Sequence, residues 1–461
     1  MADFDVVVIG GGPAGYSAAL KGAELGASVA LVEAEQPGGA CVNHSCIPAN
    51  VLMGSVRTFL EAQELGVMGV FQAGETFHFA RAAARKDALV IALRDGISGA
   101  LRMRRVRFIE GHARFVSPSS LEVSAKDGGA STLTAEAFVI ATGTRWEPPA
   151  IPGVAASRIL TPDAVQALPL APASALVVAD TPGDIPFGAE YAVLLAVSGG
   201  AVTLATAAPK LFPALEDDVA AFAIGGLADM GIEIHEGVSI EAGPDDVSIT
   251  LKGAAGAVTV AAEVIVAADP RVPFFQSLHL AAAGVVTTTV VPVDRACRTN
   301  VAHIFAAGDV SGGAMLTNAA AHMGEVAATN ATGGSASTRL DRLPRLLHTF
   351  PETGWVGISA AGARARGLDV ATGTADLSYN ARAVSLGARK GIVRVVVERS
   401  LGEVVGVHVC GPEAGEIIAV AAALMQSEVP VADLAAMVHW HPAVAEGLAE
   451  AARRALSSRE A

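Results

Sequence analysis

Only four of the 461 residues are cysteine, and aromatic residues supply 5% of the chain, with three Trp and three Tyr among them. Four cysteines cannot staple a chain of this length, which excludes a secreted disulfide framework. Charge is scarce too, at 17% of residues against roughly 25% in an average soluble domain. Positive charge is the scarcer sign: 32 Lys and Arg stand against 46 Asp and Glu, a net −14. No broad basic face can be built from that balance, so neither nucleic acid nor an anionic membrane is expected as a partner. Long hydrophobic runs are missing as well. Stretches such as Ile417–Met425 end far short of the ~20 residues that cross a bilayer. The opening Met1-Ala2-Asp3-Phe4-Asp5 carries no cationic segment, so no secretory signal is read there and a cytoplasmic location is expected.

Apolar residues are plentiful, at 52%, enough for large cores and incompatible with a disordered chain. The length suggests about three domains. Phe4–Ile9 is a short apolar run that reads as a buried parallel strand; Tyr16–Leu25 has helical composition, and Ser28–Val32 is a second strand closing on Glu33. A similar alternation recurs at Leu176–Val178, Gly188–Ala196 and Ala201–Ala205, so two βαβ nucleotide-binding units are expected. Arg105–Phe115 and Ser120–Ser124 read as β segments leading into Ala137–Ile140. Residues 331–337, all Ala, Thr, Gly or Ser, read as a linker. Beyond them, strands Gly391–Val397 and Gly402–Val409 flank a turn at Glu398–Leu401, with helices expected at Gly415–Gln426 and Val431–Met437. The fold class that follows is α/β, two Rossmann-like domains and a C-terminal α+β domain.

Two constellations carry chemistry. Gly10-x-Gly12-x-x-Gly15 directly after a strand is the dinucleotide fingerprint in its proper context. Gly10 permits the tight turn, Gly12 lets backbone approach a pyrophosphate, and Gly15 lets the helix pack closely on the strand. The helix N-terminus then presents free N–H groups to phosphate. Glu33, eighteen residues past Gly15, can accept hydrogen bonds from ribose hydroxyls. The second constellation is Cys41-Val42-Asn43-His44-Ser45-Cys46. If Cys41 enters a helix and Cys46 lies one turn further on, the sulfurs can come within bonding distance. Cys41, His44 and Cys46 are also three potential zinc ligands, although a structural site needs a fourth, and buried inert thiols are a third possibility.

Gly38-Gly39-Ala40 through Cys46-Ile47-Pro48 resembles the redox-disulfide segment of the FAD-dependent pyridine nucleotide–disulfide oxidoreductases, and within them is most similar to dihydrolipoamide dehydrogenase. The resemblance continues in order along nearly the whole chain. Ala141-Thr142-Gly143 resembles the turn after the first FAD segment, and Ile304 through Val310 the second FAD motif. Thr349-Phe350-Pro351-Glu352 resembles the opening of the dimerisation domain, and His441-Pro442-x-x-x-Glu446 the catalytic base with its orienting carboxylate. What this implies is an FAD-binding domain over 1–150 and 271–338, an NAD-binding-like domain over 151–270 and a dimerisation domain over 339–461. It implies FAD contacts at Gly10, Gly12, Gly15, Glu33, Gly39, Ala113, Thr142, Gly143, Gly308 and Asp309. Cys46 would be the thiolate facing the flavin, Cys41 the interchange thiol, and His441 with Glu446 the acid–base pair, supplied across a homodimer. The implied activity is exchange of electrons between a dithiol, most simply a lipoyl group on a carrier protein, and FAD; no metal is expected. Cys297 and Cys410 have no partner motif and are expected to be buried.

Several positions depart from the family's pattern. Asn50 replaces a Lys that normally pairs with a Glu matching Glu190, which would leave Glu190 without its cation; Ala40 and Asn318 replace Thr and His. The second fingerprint is damaged further. Aligned on Gly188 and Glu190 it reads Gly183-Asp184-Ile185-Pro186-Phe187-Gly188, with a β-branched Ile where backbone should meet pyrophosphate. Val178 to Gly188 is ten residues, against six from Ile9 to Gly15. Thr206 stands where the ribose-binding acid belongs, Lys210 is the nearest cation, and Pro270 replaces Gly ahead of Arg271 and Pro273. NAD(P) binding is therefore expected to be weak or absent, with Gly183, Gly188 and Glu190 as remnants. The alternatives are a conventional NAD-dependent dihydrolipoamide dehydrogenase, a glutathione-type reductase, or a flavin-bearing docking subunit without turnover. Retention of Cys41, Cys46, His441 and Glu446 together argues against the last. A mercuric reductase is disfavoured by a tail, Arg454–Ala461, without cysteine.

Overall fold

The computed structural model describes residues 2–67, 69–70, 76–179, 186–268, 271–388 and 390–460. Its framework separates into two compact units, Met1–Val51 with Ala83–Glu147 and Arg271–Leu340, and Leu52–Ala82 with Pro148–Pro270 and Asp341–Ala461. The first unit is built on Phe4–Ile9, whose Val6, Val7 and Val8 are wholly buried. Such a strand needs neighbours on both edges and cover on both faces. Val29–Glu33 pairs with it in parallel on one side, Val6 opposite Val29. The end of Ala130–Ile140 pairs on the other, Val8 opposite Val139. Arg107–Glu110 and Ile304–Ala306 extend the parallel sheet at its two ends. Ala130–Ile140 runs for 11 residues, and its first half belongs to an antiparallel arrangement with Ser120–Ser124, itself paired to His112–Ser117. The β segment expected over Arg105–Phe115 is thus two strands, divided at Gly111, where a Cβ would stand 2.7 Å from the Ser124 carbonyl oxygen.

Helices Pro13–Glu24 and Thr317–Ala331 lie against each other in this unit. Gly324 sets their closeness: a Cβ there would lie 2.1 Å from the Ala14 carbonyl oxygen. The stretch after Ala331 is tied down rather than a loose linker. Asn330 Oδ1 accepts from Ala336 N at 2.8 Å, and Nδ2 donates to the carbonyls of Ala336 and Ala296, both at 2.9 Å. Thr332, Gly333 and Gly334 add backbone hydrogen bonds to the carbonyls of Ala328, Asn330 and Thr329.

The second unit holds five parallel strands in the order Glu233–Glu236, Ala201–Thr206, Ser174–Val178, Val264–Ala267, Ile159–Leu160. Helix Gly188–Val197 packs there with Gly188 to Leu195 all buried. An antiparallel trio, Ser239–Ala242, Ser248–Gly253 and Gly256–Ala261, went unread in the sequence. The C-terminal part is a five-stranded antiparallel sheet, Arg345–Leu347, Thr353–Gly357, Val404–Cys410, Ile392–Glu398, Val370–Asp376. Helices Ala414–Gln426 and Glu446–Glu460 cover it through Ile417, Ile418, Leu448 and Ala452. Residues 52–82 also belong to this unit. Helix Cys46–Val67 carries the chain across: Phe59 meets Phe77 edge to face at 5.7 Å, and Arg57 pairs with Glu352 at 3.2 Å.

Candidate active site

The glycine turn comes first in the chain and frames the rest. Gly10 has φ +101°, and a Cβ on it would lie 2.4 Å from the Ala141 carbonyl oxygen. A Cβ at Gly15 would come within 1.7 Å of the Gly10 carbonyl oxygen, so the helix can seat this closely only without a side chain there. Gly12 precedes Pro13 at the helix start, where a missing N–H costs nothing. A Cβ at Gly12 would still stand 3.8 Å from its nearest neighbour, Gly39 Cα, leaving the backbone approachable. Glu33 reaches the turn from the end of the second strand. Its Oε2 accepts from Gly11 N at 2.5 Å and its Oε1 from Glu35 N at 2.8 Å.

The cysteine segment is pressed onto this turn. Gly38 N donates to Gly11 O at 2.8 Å. Gly39, at φ +56°, leaves only 2.5 Å between a hypothetical Cβ and Gly12 Cα. Asn43 holds the loop by donating to Gly39 O at 2.9 Å, and Arg94 Nε donates to Asn43 Oδ1 at 2.8 Å. Cys41 and Cys46 do not share a helix as the spacing suggested. Cys41 sits within Gly39–Asn43 and Cys46 opens Cys46–Val67, with the break at His44 and Ser45. His44 faces Glu35, 3.6 Å away.

Thr317, the first residue of its helix, places Oγ1 3.3 Å from both sulfurs. Ser45 Oγ lies 3.7 Å from Cys46 Sγ. These contacts separate the thiols. Cys46 is drawn down to about 6, first by hydrogen bonding to Cys41, then by the Thr317 and Ser45 hydroxyls and the Arg271 charge, all against the cost of burial. The Cys41 thiol is pushed up by the same hydrogen bond, by burial and by its neighbour's charge. Cys297 and Cys410 are buried, and burial pushes each up to about 12.

Asp309 follows Gly308, whose φ is +78° and whose Cβ would meet Ala14 and Ala320 at 3.0 and 3.2 Å. Burial pushes the Asp309 carboxyl up while Arg271, 3.4 Å away, pulls it back. Thr142 Oγ1 donates to Phe274 O, and Phe274 N donates to Gly143 O at 2.9 Å. Ala113 is buried on its strand opposite Val123. In the second unit His441 Nδ1 lies 3.0 Å from Glu446 Oε1, and Glu446 Oε2 accepts from Ala443 N at 3.0 Å. Those two contacts hold the Glu446 carboxyl below the usual carboxylate range. The imidazole is 71% exposed, with Nε2 left for proton exchange.

The remnants of the second fingerprint fare unequally. Gly188 starts its helix, packed so that a Cβ would meet Ala179 and Val177 at 3.1 Å. Gly183, Ile185 and Pro270 lie outside the described residues. Glu190 is not left alone by the loss of the Lys: its Oε1 accepts from His348 N at 2.8 Å, and its charge helps raise the His348 imidazole, which Glu352 raises most. Thr206 is buried, its Oγ1 accepting from Ala208 N at 3.1 Å, and Lys210 pairs with Asp217 at 2.7 Å.

The pyridine nucleotide-disulphide oxidoreductase model matches residues 4–324, and the dimerisation domain of the same family matches residues 343–452. The chain belongs to this family. It is similar to dihydrolipoyl dehydrogenase 2 of Haloarcula marismortui, 32% identical over 98% of this chain and 96% of that one. Among solved structures it is similar to the Cu(II) complex of the HOCl-induced flavoprotein disulfide reductase RclA from Escherichia coli, at TM-score 0.86 and 25% identity over 98% of this chain and 99% of that one. LpdA from Mycobacterium tuberculosis has the same TM-score at 27% identity, over 97% and 99%. As a member of this pyridine nucleotide-disulphide oxidoreductase family the protein is an FAD-dependent oxidoreductase of mixed α/β fold with a C-terminal dimerisation domain. No helix among the described residues is long and apolar enough to cross a membrane.

Proposed function

We propose that the protein is a homodimeric disulfide oxidoreductase of dihydrolipoamide dehydrogenase type, acting in the cytoplasm on a lipoyl-bearing carrier or a small dithiol. The domains follow as FAD-binding over 1–150 and 271–338, NAD-binding-like over 151–270 and dimerising over 339–461. The observation that carries the proposal is the placement of the two thiols: the segment bearing Cys41 and Cys46 is fastened to the glycine turn through Gly38 N and Gly11 O at 2.8 Å, and both sulfurs lie 3.3 Å from Thr317 Oγ1.

The glycine turn fits a dinucleotide. Gly10, Gly12 and Gly15 leave backbone and the helix N-terminus open to a pyrophosphate, Glu33 suits a ribose, Gly39 and Ala113 border the turn and the sheet, and Asp309 with Gly308, Thr142 and Gly143 suits the ribityl side. Bound there, FAD supplies an acceptor for two electrons. The protein's own residues do the rest. With Cys41 and Cys46 joined, His441 of the partner subunit removes a proton from one substrate thiol through Nε2, and the resulting thiolate attacks Cys41 Sγ. The Cys41–Cys46 bond breaks, and Cys46 leaves as the thiolate that its neighbours stabilise. His441 passes that proton to Cys41 as the second substrate thiol displaces it and takes up the proton this second thiol loses, so that Cys41 leaves as a thiol, the imidazole ends protonated and the substrate departs as a disulfide. Glu446 fixes the imidazole and balances its charge while it is protonated.

NAD(P) is used weakly or not at all. Thr206 in place of an acid and the pairing of Lys210 with Asp217 support an acceptor of another class, such as a quinone, a protein or oxygen. Purified holoprotein supplied with reduced lipoamide and, in turn, NAD, a quinone and oxygen tests the proposal. Turnover with lipoamide and a non-nicotinamide acceptor is expected. No oxidation of lipoamide with any acceptor overturns the substrate; fast turnover with NAD overturns the acceptor.

A further inference from the structure

Thr317 answers to neither fingerprint and to no motif read in the sequence, yet its hydroxyl is placed symmetrically, 3.3 Å from Cys41 Sγ and 3.3 Å from Cys46 Sγ. A hydroxyl carries one proton to donate and two lone pairs, so it can serve only one sulfur at a time as donor. Ser45 is no substitute. It reaches Cys46 at 3.7 Å and not Cys41, and its proton is also in reach of Ala40 O at 3.2 Å.

We infer that Thr317 is a positioning residue whose single hydroxyl proton follows the negative charge between the two sulfurs. When Cys46 holds the charge, Thr317 donates to Cys46. When a base takes the Cys41 proton for exchange with substrate, the Oγ1–H bond rotates to Cys41, and no backbone movement is needed. Charge-assisted hydrogen bonds are roughly twice as strong as neutral ones, so one mobile donor eases the passage of charge in both directions. The charged groups facing the pair, Arg271 and Asp309, keep their sign and place whichever sulfur is ionised. Arg271 favours the charge on Cys46, Asp309 opposes it on Cys41, and the Tyr16 hydroxyl is raised by burial first and by both sulfurs after.

The inference rests on Cys46 as the resting thiolate, and the experiment separates the two. In the chemically reduced holoprotein, the rate of iodoacetamide alkylation is followed against pH, with Cys41 and Cys46 peptides resolved by mass spectrometry. Wild-type Cys46 is expected to titrate near 6. Thr317→Val, of similar shape without a donor, is expected to move Cys46 up by about one unit, a tenfold fall in thiolate at fixed low pH. The same substitution raises the Cys41 limb as well, a change that a role confined to helix packing does not produce. Thr317→Ser restores both, and also guards against a Val variant that folds badly. An ordinary Cys46 titration in the wild type overturns the underlying assignment and this inference with it. A depressed wild-type value that is unchanged in Thr317→Val overturns the role of Thr317 alone.

Discussion

Gly39→Ala is expected to cost the protein its flavin. Gly39 sits at φ +56°, and a Cβ there would lie 2.5 Å from Gly12 Cα and 3.1 Å from Gly12 N. The left-handed conformation costs an L-residue about 1–2 kcal/mol. Relieving overlap of this kind in a packed interior costs a further 1–3 kcal/mol or so, and the obstacle is backbone on both sides, with no flexible side chain to yield. The sum, about 2–5 kcal/mol, is expressed either as lost stability or as displacement of the glycine turn from its dinucleotide. If all of it fell on binding, FAD affinity would drop by roughly 30-fold to several thousand-fold. Gly54→Ala is the control: Gly54 lies in helix Cys46–Val67, exposed, and nothing stands within 4 Å of a Cβ there. Alanine in that helix is expected to stabilise by about 0.5–1 kcal/mol. The measurement is flavin retained after gel filtration together with thermal melting of both variants. A Gly39→Ala protein that keeps wild-type flavin content and melting temperature would refute the close approach of the cysteine segment to the turn.

Other outcomes follow from the site and the core. Dithiol titration is expected to develop a long-wavelength thiolate–flavin band that Cys46→Ser abolishes and Cys41→Ser strengthens; a band surviving in Cys46→Ser reverses the assignment of the thiols. His441→Ala is expected to lower dithiol turnover by about 10²–10⁴ while FAD stays bound, and Glu446→Gln to lower it less; near-normal turnover in His441→Ala removes that residue from the chemistry. Stopped-flow mixing with NADH or NADPH is expected to reduce the flavin slowly even at high nucleotide, because a missing charge-assisted ribose contact alone costs roughly 1.5–3 kcal/mol; reduction within milliseconds at micromolar nucleotide contradicts this. His408 is fully buried and pushed down to about 4 by burial. Its folded pKa lies below its unfolded one, so unfolding takes up a proton between about pH 6.5 and 4, and stability falls with pH across that window. The loss is on the order of 3 kcal/mol at its lower end, and a His408→Leu protein whose melting temperature falls just as steeply over this range removes His408 as the cause.

Much of the fold was legible because its signals are local. Phe4–Ile9 and Ser120–Ser124 begin and end where the residue pattern puts them, since alternation and burial act on neighbouring residues. The break at Gly111 was not legible, because its cause is the Ser124 carbonyl on another strand. Asn330 likewise gives no sign in sequence that it fastens Ala336 and Ala296. At the candidate site, Cys41, Cys46 and the glycines stand out by type and spacing. Thr317 does not: a threonine opening a helix is ordinary, and only folding brings it 271 positions back to Cys46. The missing Lys says nothing of a donor that Glu190 does have, a backbone N–H from His348, a partner that residue identity does not encode.

Strand Ala130–Ile140 has a consequence for how the chain is made. Its first half finds its partner nearby, Ser120–Ser124, but Phe138, Val139 and Ile140 also pair with Ile304, Phe305 and Ala306. On a ribosome adding about 5–20 residues per second, those partners emerge roughly 8–33 s later. Throughout that interval a fully apolar strand edge faces solvent with its hydrogen-bonding groups unfilled, the kind of edge that recruits another chain. Synonymous codons that slow the ribosome between positions 140 and 304 are therefore expected to lengthen the exposure of that edge without changing a single residue.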